Sequence, residues 1–86
     1  MYALTWLKQP LDRLADCYVS VPVDVRERMA GAVERLNARL KQSPLAEGES
    51  RSGRLRITFV AGLTIMFEVD ESARSVTVAR IGPFNP

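Results

Sequence analysis

Residues 25–69 read VRERMAGAVERLNARLKQSPLAEGESRSGRLRITFVAGLTIMFEV, and the rhythm of their apolar positions changes once, near Gly53. Before that point Val25, Met29, Ala32, Val33, Leu36 and Leu40 recur at helical spacing, with Arg26, Arg35 and Arg39 on the other face. A helix that buries one stripe and solvates the rest has this pattern. Asp24, followed three residues later by Glu27, resembles a capping box at its start, and Ser43-Pro44 stops it. Beyond Gly53 the period is two. Leu55, Ile57 and Phe59 alternate with Arg54, Arg56 and Thr58; Leu63, Ile65, Phe67 and Val69 alternate with Thr64, Met66 and Glu68. These are half-buried strands. The polar stretch from Leu45 to Gly53 is expected to be a loop.

Two strands this close form a hairpin, and its register decides which side chains face the core. A two-residue loop at Ala61-Gly62 would pair Phe59 with Thr64 and mix the faces. A three-residue loop, Val60-Ala61-Gly62, pairs Phe59 with Leu63 and Ile57 with Ile65, and gives Gly62 the left-handed position such loops prefer. The second register is the expected one, with Arg54 across from Glu68. Further on, Asp70 to Ser75 is a turn and Val76 to Ile81 a last strand. The tail Gly82-Pro83-Phe84-Asn85-Pro86 is expected to be irregular.

Toward the N-terminus, Tyr2, Leu4 and Trp6 alternate with Ala3 and Thr5 as a short strand. Pro10 suits a first helical turn, where a missing N–H is not needed. Leu11, Leu14, Ala15 and Tyr18 then form an apolar stripe on a helix from about Gln9 to Val19, ended by Val-Ser-Val-Pro. The order is β-α-α-β-β-β. This is an α+β fold with a helical hairpin on one face of an antiparallel sheet, in a single domain spanning residues 1–86. Trp6, Tyr18, Phe59 and Phe67 are expected core residues. The first strand must join the sheet after the helices have formed.

The composition, 47% apolar and 26% charged, is that of a globular protein. No apolar run approaches the ~20 residues that span a bilayer. The N-terminal residues have no basic region and no apolar segment of a signal peptide. One cysteine, Cys17, excludes an internal disulfide, and a cytoplasmic protein is expected. The net charge of +2 arises in residues 22–44, where Arg26, Arg28, Arg35, Arg39 and Lys41 face Asp24, Glu27 and Glu34. Ten of the twelve basic residues are arginine, which pairs with phosphate or carboxylate in a bidentate fork. Such a chain is either an anion binder or a protein with a solvated basic helix face.

The order and spacing of these parts resemble the RelE/ParE toxins of bacterial type II toxin–antitoxin modules. The resemblance is carried by the short strand ending in Trp6, the helix with Leu11 to Tyr18, the long second helix and the Pro44-Leu45 loop. The hairpin strand Leu63-Thr64-Ile65-Met66-Phe67-Glu68-Val69-Asp70 and the last strand Val76-Thr77-Val78-Ala79-Arg80-Ile81-Gly82 complete it. It implies a growth inhibitor neutralised by a bound antitoxin. RelE-type members cut mRNA on the ribosome; ParE-type members poison DNA gyrase. The resemblance also implies an apolar groove at the helix–sheet boundary, filled by the antitoxin. A homodimer is a further expectation.

This sequence departs from the nuclease pattern. The slot that commonly carries an arginine before an aromatic holds Thr64, ahead of Phe67. Pro83 and Phe84 follow Gly82 where a basic residue is common, and the chain has no histidine. RNA cleavage needs a group to activate the 2′-hydroxyl, one to protonate the leaving oxygen and cations for the phosphate charge. The catalytic candidates left are Arg54, Arg56 and Arg80, and arginine is a poor proton shuttle. Anion- or RNA-binding candidates are Arg51, Arg54, Arg56 and Arg80. The alternative for Arg54 is a pair with Glu68, and for Arg80 a place at the strand's end, since it falls on the core parity after Val76 and Val78. Partner-binding candidates are Arg35, Arg39 and Phe84, the last either folded onto the sheet or exposed. Cys17 is read as packing, because no histidine can activate it. No metal or cofactor is expected: the acidic residues form no metal-ligand cluster, and the glycines lack phosphate-loop spacing. An active toxin and a catalytically degenerate, protein-binding module are the two competing functions.

Overall fold

A computed structural model describes residues 1–83, and in it all helix lies before Gly53 and the long strands β3, β4 and β5 after it. Strand β1 (Ala3–Trp6) leads into helices α1 (Lys8–Val19) and α2 (Val23–Gln42). A 3₁₀ turn (Pro44–Ala46) is followed by β2 (Glu49–Ser52), β3 (Leu55–Val60), β4 (Leu63–Asp70) and β5 (Ser75–Pro83). The strand order across the sheet is β1-β5-β4-β3-β2. The α+β fold with two helices on one face is as expected, with two additions. The stretch from Leu45 to Gly53 holds the 3₁₀ turn and edge strand β2, every residue of which is exposed. The sheet is mixed, because β1 lies parallel to β5 while the other neighbours are antiparallel.

Helix-side packing sets the register of each strand. Leu36 and Leu40 of α2 meet Ile65, Phe67 and Val78 of the sheet, all fully buried. Burying each such side chain contributes about 1.5–3 kcal/mol. β1 is fastened to α2 by two hydrogen bonds. The Tyr2 N–H donates to the Lys41 carbonyl at 2.8 Å, and the Trp6 indole N–H donates to Asn37 Oδ1 at 2.9 Å. Trp6 and Tyr18 pack against the core while partly exposed. On α1 the buried residues are Pro10 and Leu14, with Cys17 and Tyr18 half-buried. Leu11 and Ala15, expected in the stripe, are exposed. Pro10 stands in the first turn, as its missing donor allows. The capping box does not form. Pro22 is the N-cap of α2 and makes no side-chain cap, while Asp24 lies inside the first turn and pairs with Arg28 at 3.7 Å.

The hairpin register differs from the expected one. Val60 pairs with Leu63, Phe59 with Thr64 and Thr58 with Ile65, so the loop is the two-residue Ala61-Gly62. Both loop residues have positive φ, 50° at Ala61 and 79° at Gly62, which is the sign pattern of a type I′ hairpin turn. The turn's twist match with the strands outweighs the cost of left-handed backbone at an alanine. As a result Val60, Thr58 and Arg56 face the helices. Leu55, Ile57 and Phe59 go to the helix-free face beside Glu68, Met66 and Thr64. Phe59 is 48% exposed instead of in the core. Ile57 is buried on that second face, between Met66 and Glu49 in the register.

A bulge moves a second set of residues. Met66 pairs with Arg80 but Phe67 with Val78, so Ala79 is the extra residue of β5. The parity of β5 flips there. Val76, Val78 and Ile81 are buried, while Arg80, expected on the core parity, is exposed on the helix-free face. Gly82 and Pro83, expected in an irregular tail, continue β5 opposite Thr64 and Leu63. Phe84 lies outside the described residues.

Candidate functional site

The β2–β3 end of the sheet gathers most of the candidate cations, and each has a partner there. Arg56 faces the helix side at the start of β3. Its guanidinium donates to the carbonyls of Glu47 at 3.0 Å, Leu45 at 3.1 Å and Gly48 at 3.3 Å. It therefore holds the segment between the 3₁₀ turn and β2 against β3. The same segment is tied to α2 by Arg39, whose Nε–H meets Glu47 Oε1 at 2.5 Å. Gly48, at φ 63°, lies so close to β3 that a methyl group on it would sit 2.0 Å from the Ile57 carbonyl oxygen. Only glycine fits this contact. Arg51 pairs with Glu49 at 3.8 Å.

Arg54 pairs with Asp70 at 3.2 Å, not with Glu68, which stands opposite Leu55. The two-residue turn causes the difference, because it slides β3 by one residue against β4 relative to the expected register. Asp70 Oδ1 also accepts the Ala73 N–H at 3.1 Å, so this carboxylate closes the β4–β5 turn as well. Two further arginines outside the candidate set are engaged. Arg26, expected on the solvated face of α2, donates to the carbonyls of Tyr18 at 2.7 Å and Val21 at 3.4 Å across the interhelical turn. Arg74 lies over the Tyr2 ring at 5.0 Å.

Among the described residues, Arg13, Arg35 and Arg80 have no hydrogen bond or ion pair. Arg80 is the only one of the three on the helix-free face, where the bulge at Ala79 puts it. Beside it is a small hollow of about 180 Å³ walled by Met66, Ile81 and Pro83. Thr64, which occupies the slot of the missing arginine, lies on the same wall, and its hydroxyl donates to the Pro83 carbonyl at 3.2 Å. Arg80 can pair with one anion. Beside it in the register stand Met66 and, one strand along, Ile57, neither of which can carry a proton. The Tyr18 phenol is on the other side of the sheet, and burial, then Glu34 and Cys17, push its pKa up from its ordinary value, so it stays protonated at neutral pH. Among the described residues no three His, Cys, Asp or Glu side chains are grouped to hold a metal ion.

Arg51, Arg54 and Arg56 lie at one end of the sheet, in or beside β2 and β3. Arg80 is on the far side of β4 from them. Of the partner-binding candidates, Arg35 is exposed and unpaired among the described residues, and Arg39 is paired. One feature was not anticipated. Arg13 of α1 lines a larger hollow of about 470 Å³ between α1 and the ends of β4 and β5, walled by Cys17, Leu63, Ile81 and Pro83. An arginine three residues after Pro10 on a helix gives no signal of this without knowing that α1 crosses β5.

No family model and no curated protein matches the sequence. Solved structures do match the fold. The chain is similar to a chain of the chromosomal ParDE toxin–antitoxin system of Pseudomonas aeruginosa, with TM-score 0.76 and 16% identity over 99% of this chain and 98% of that one. It is similar to a chain of the RelBE2 toxin–antitoxin complex of Mycobacterium tuberculosis, with TM-score 0.72 and 15% identity over 96% and 98%. It also matches a chain of the intact Escherichia coli RelBE complex, with TM-score 0.67 and 16% identity over the whole of both chains.

Proposed function

From the RelE/ParE-like fold of this chain, we propose that it is the toxin-like half of a toxin–antitoxin pair, and that it acts by binding proteins rather than by cutting RNA. The observation that carries this reading is the engagement of the cations. Arg54 is neutralised by Asp70, Arg56 is held by three backbone carbonyls, and the Thr64 hydroxyl is tied to Pro83. Among the described residues, Arg80 is left on the helix-free face with the Thr64 hydroxyl, itself tied to Pro83, as the other polar side chain of its hollow. General acid–base catalysis typically contributes 10²–10⁴-fold, and a lone arginine at neutral pH supplies none of it.

The partner-binding half of the reading is supported by apolar surface. Leu7 and Leu11 are about half exposed, and Val19 and Val23 more so, along one side of α1 and into the interhelical turn. The hollow between α1 and the sheet is the groove at the helix–sheet boundary that an antitoxin would fill. Exposed patches of this kind mark interaction sites.

The test is induced expression in a bacterial host with and without the product of an adjacent short reading frame. The reading expects that product to co-purify with the chain, and expects no ribosome-dependent mRNA cleavage. Growth arrest accompanied by DNA breaks would assign the binding to gyrase. Ribosome-dependent cleavage that disappears in Arg80→Ala would overturn the non-nuclease reading and restore Arg80 as a catalytic residue.

A further inference from the structure

The last three residues of β5, Ile81 to Pro83, form a wall with a hollow on each side. The inner hollow, of about 470 Å³, has Arg13 on its rim. The outer hollow, of about 180 Å³, has Arg80. Both hollows are walled mainly by apolar side chains. Arg13 and Arg80 are also two of the three arginines whose side chains have no ion pair, hydrogen bond or ring contact among the described residues. The other seven are engaged within the fold. Two unpaired cations facing opposite sides of the same strand end are a pattern that the sheet does not need for its own stability.

We propose that this strand end is the docking site of an extended peptide carrying two carboxylates separated by apolar residues. One carboxylate pairs with Arg13, the other with Arg80, and the apolar residues between them cross the wall at Gly82-Pro83. The proposal deepens the partner-binding reading above and rests on it. The inner hollow takes a single negative charge, because Asp16 also lines it and repels a second, and the outer one offers a single cation, Arg80. That argues for a peptide over a nucleic acid. A phosphate chain would bring charges past Asp16 at every nucleotide, and among the described residues no aromatic side chain lines either hollow to stack a base. A path from one face of the sheet to the other is about 10 Å at the spacing of packed layers, and an extended chain covers roughly 3.3 Å per residue. Three residues span that direct distance, and the detour round Gly82-Pro83 adds one, so the two acids should stand about four positions apart.

The experiment titrates the full chain, labelled with ¹⁵N, with the blocked peptide acetyl-Glu-Leu-Val-Leu-Glu-amide. Controls replace both acids with serine, or place them on adjacent positions. The expected result is chemical-shift change centred on Cys17, Gly62 and Gly82, with each of Arg13→Glu and Arg80→Glu weakening binding at least tenfold. Both controls should bind at least tenfold more weakly than the first peptide. Lys41→Glu, which reverses an exposed cation at the far end of α2 and away from both hollows, should leave the affinity unchanged. Equal binding of the serine control, or shifts confined to the exposed side of α1, would overturn the proposal. So would binding that appears only in a chain ending at Pro83, which would make the chain's own tail the occupant, or equal shifts with an oligouridylate. If the adjacent-frame product binds while the peptide does not, this site fails and the partner-binding reading survives. If neither binds, both fail.

Discussion

The two ends of the sheet treat the same residue type in opposite ways. At the β2–β3 end, Arg39, Arg51, Arg54 and Arg56 each meet a carboxylate or a set of carbonyls. At the β5 end, Arg13 and Arg80 meet none among the described residues. The difference follows from backbone geometry. The segment before β3 turns sharply at Gly48 and presents the carbonyls of Leu45, Glu47 and Gly48 to one guanidinium, that of Glu47 half-buried, and a buried carbonyl left unpaired costs about 1–3 kcal/mol. Arginine satisfies all three at once. The end of β5 has its ladder partners in β4, so an arginine there has no structural work. An arginine's place in a sequence says little about whether it is available to a ligand; what its neighbours lack says much more.

The largest effect expected from breaking the β2–β3 end is at Gly48. Gly48→Ala forces a methyl group onto the Ile57 carbonyl and a side chain into left-handed backbone. A loss of about 3 kcal/mol is expected, enough to lower the melting temperature by more than about 10 °C in a domain of this size. Thermal unfolding followed by circular dichroism measures it, and a shift below about 4 °C would show that the loop is not pressed against β3. Next comes Arg56→Met, which keeps the stem and removes the clamp. About 1 kcal/mol should be lost in urea unfolding, because three carbonyls lose a charged donor, one of them, that of Glu47, at a half-buried site. If Arg56→Met were neutral, the residue would again be a candidate for ligand binding.

Two smaller effects sharpen the comparison. Arg54→Ala removes an ion pair whose arginine is mostly exposed, so about 0.5 kcal/mol is expected, less at high salt. Arg80→Ala should change stability by less than about 0.5 kcal/mol. A loss for Arg80→Ala as large as that for Arg56→Met would erase the contrast between the two ends. Ala61→Asn tests the turn that set the register. It should stabilise the chain by about 0.5–1 kcal/mol, since asparagine tolerates the left-handed backbone that alanine resists. Destabilisation would argue against the two-residue turn.

Much of the scaffold was legible because helix and strand leave different periods. Met29, Val33, Leu36 and Leu40 bury as their spacing requires, and Leu63, Ile65, Phe67 and Val69 bury as theirs does. The errors of strand face share one cause. Leu55, Ile57 and Phe59 look like core residues, yet alternation alone cannot say which of two faces a strand turns inward. A one-residue difference in the turn sent all three to the helix-free side and brought Arg56 to the helix side. The bulge at Ala79 did the same to Arg80. The candidate site was therefore legible as a set of residue types and not as an arrangement.

By itself the sequence determined the two helices, the strands β1, β3, β4 and β5, their order and the buried stripe of α2, because these depend on near neighbours along the chain. Tertiary structure alone decided the hairpin register, the bulge in β5, the parallel pairing of β1 with β5 and the fate of each arginine. Those outcomes depend on which carbonyls lack partners and which backbone twist closes a turn, and both are properties of strands already packed against one another.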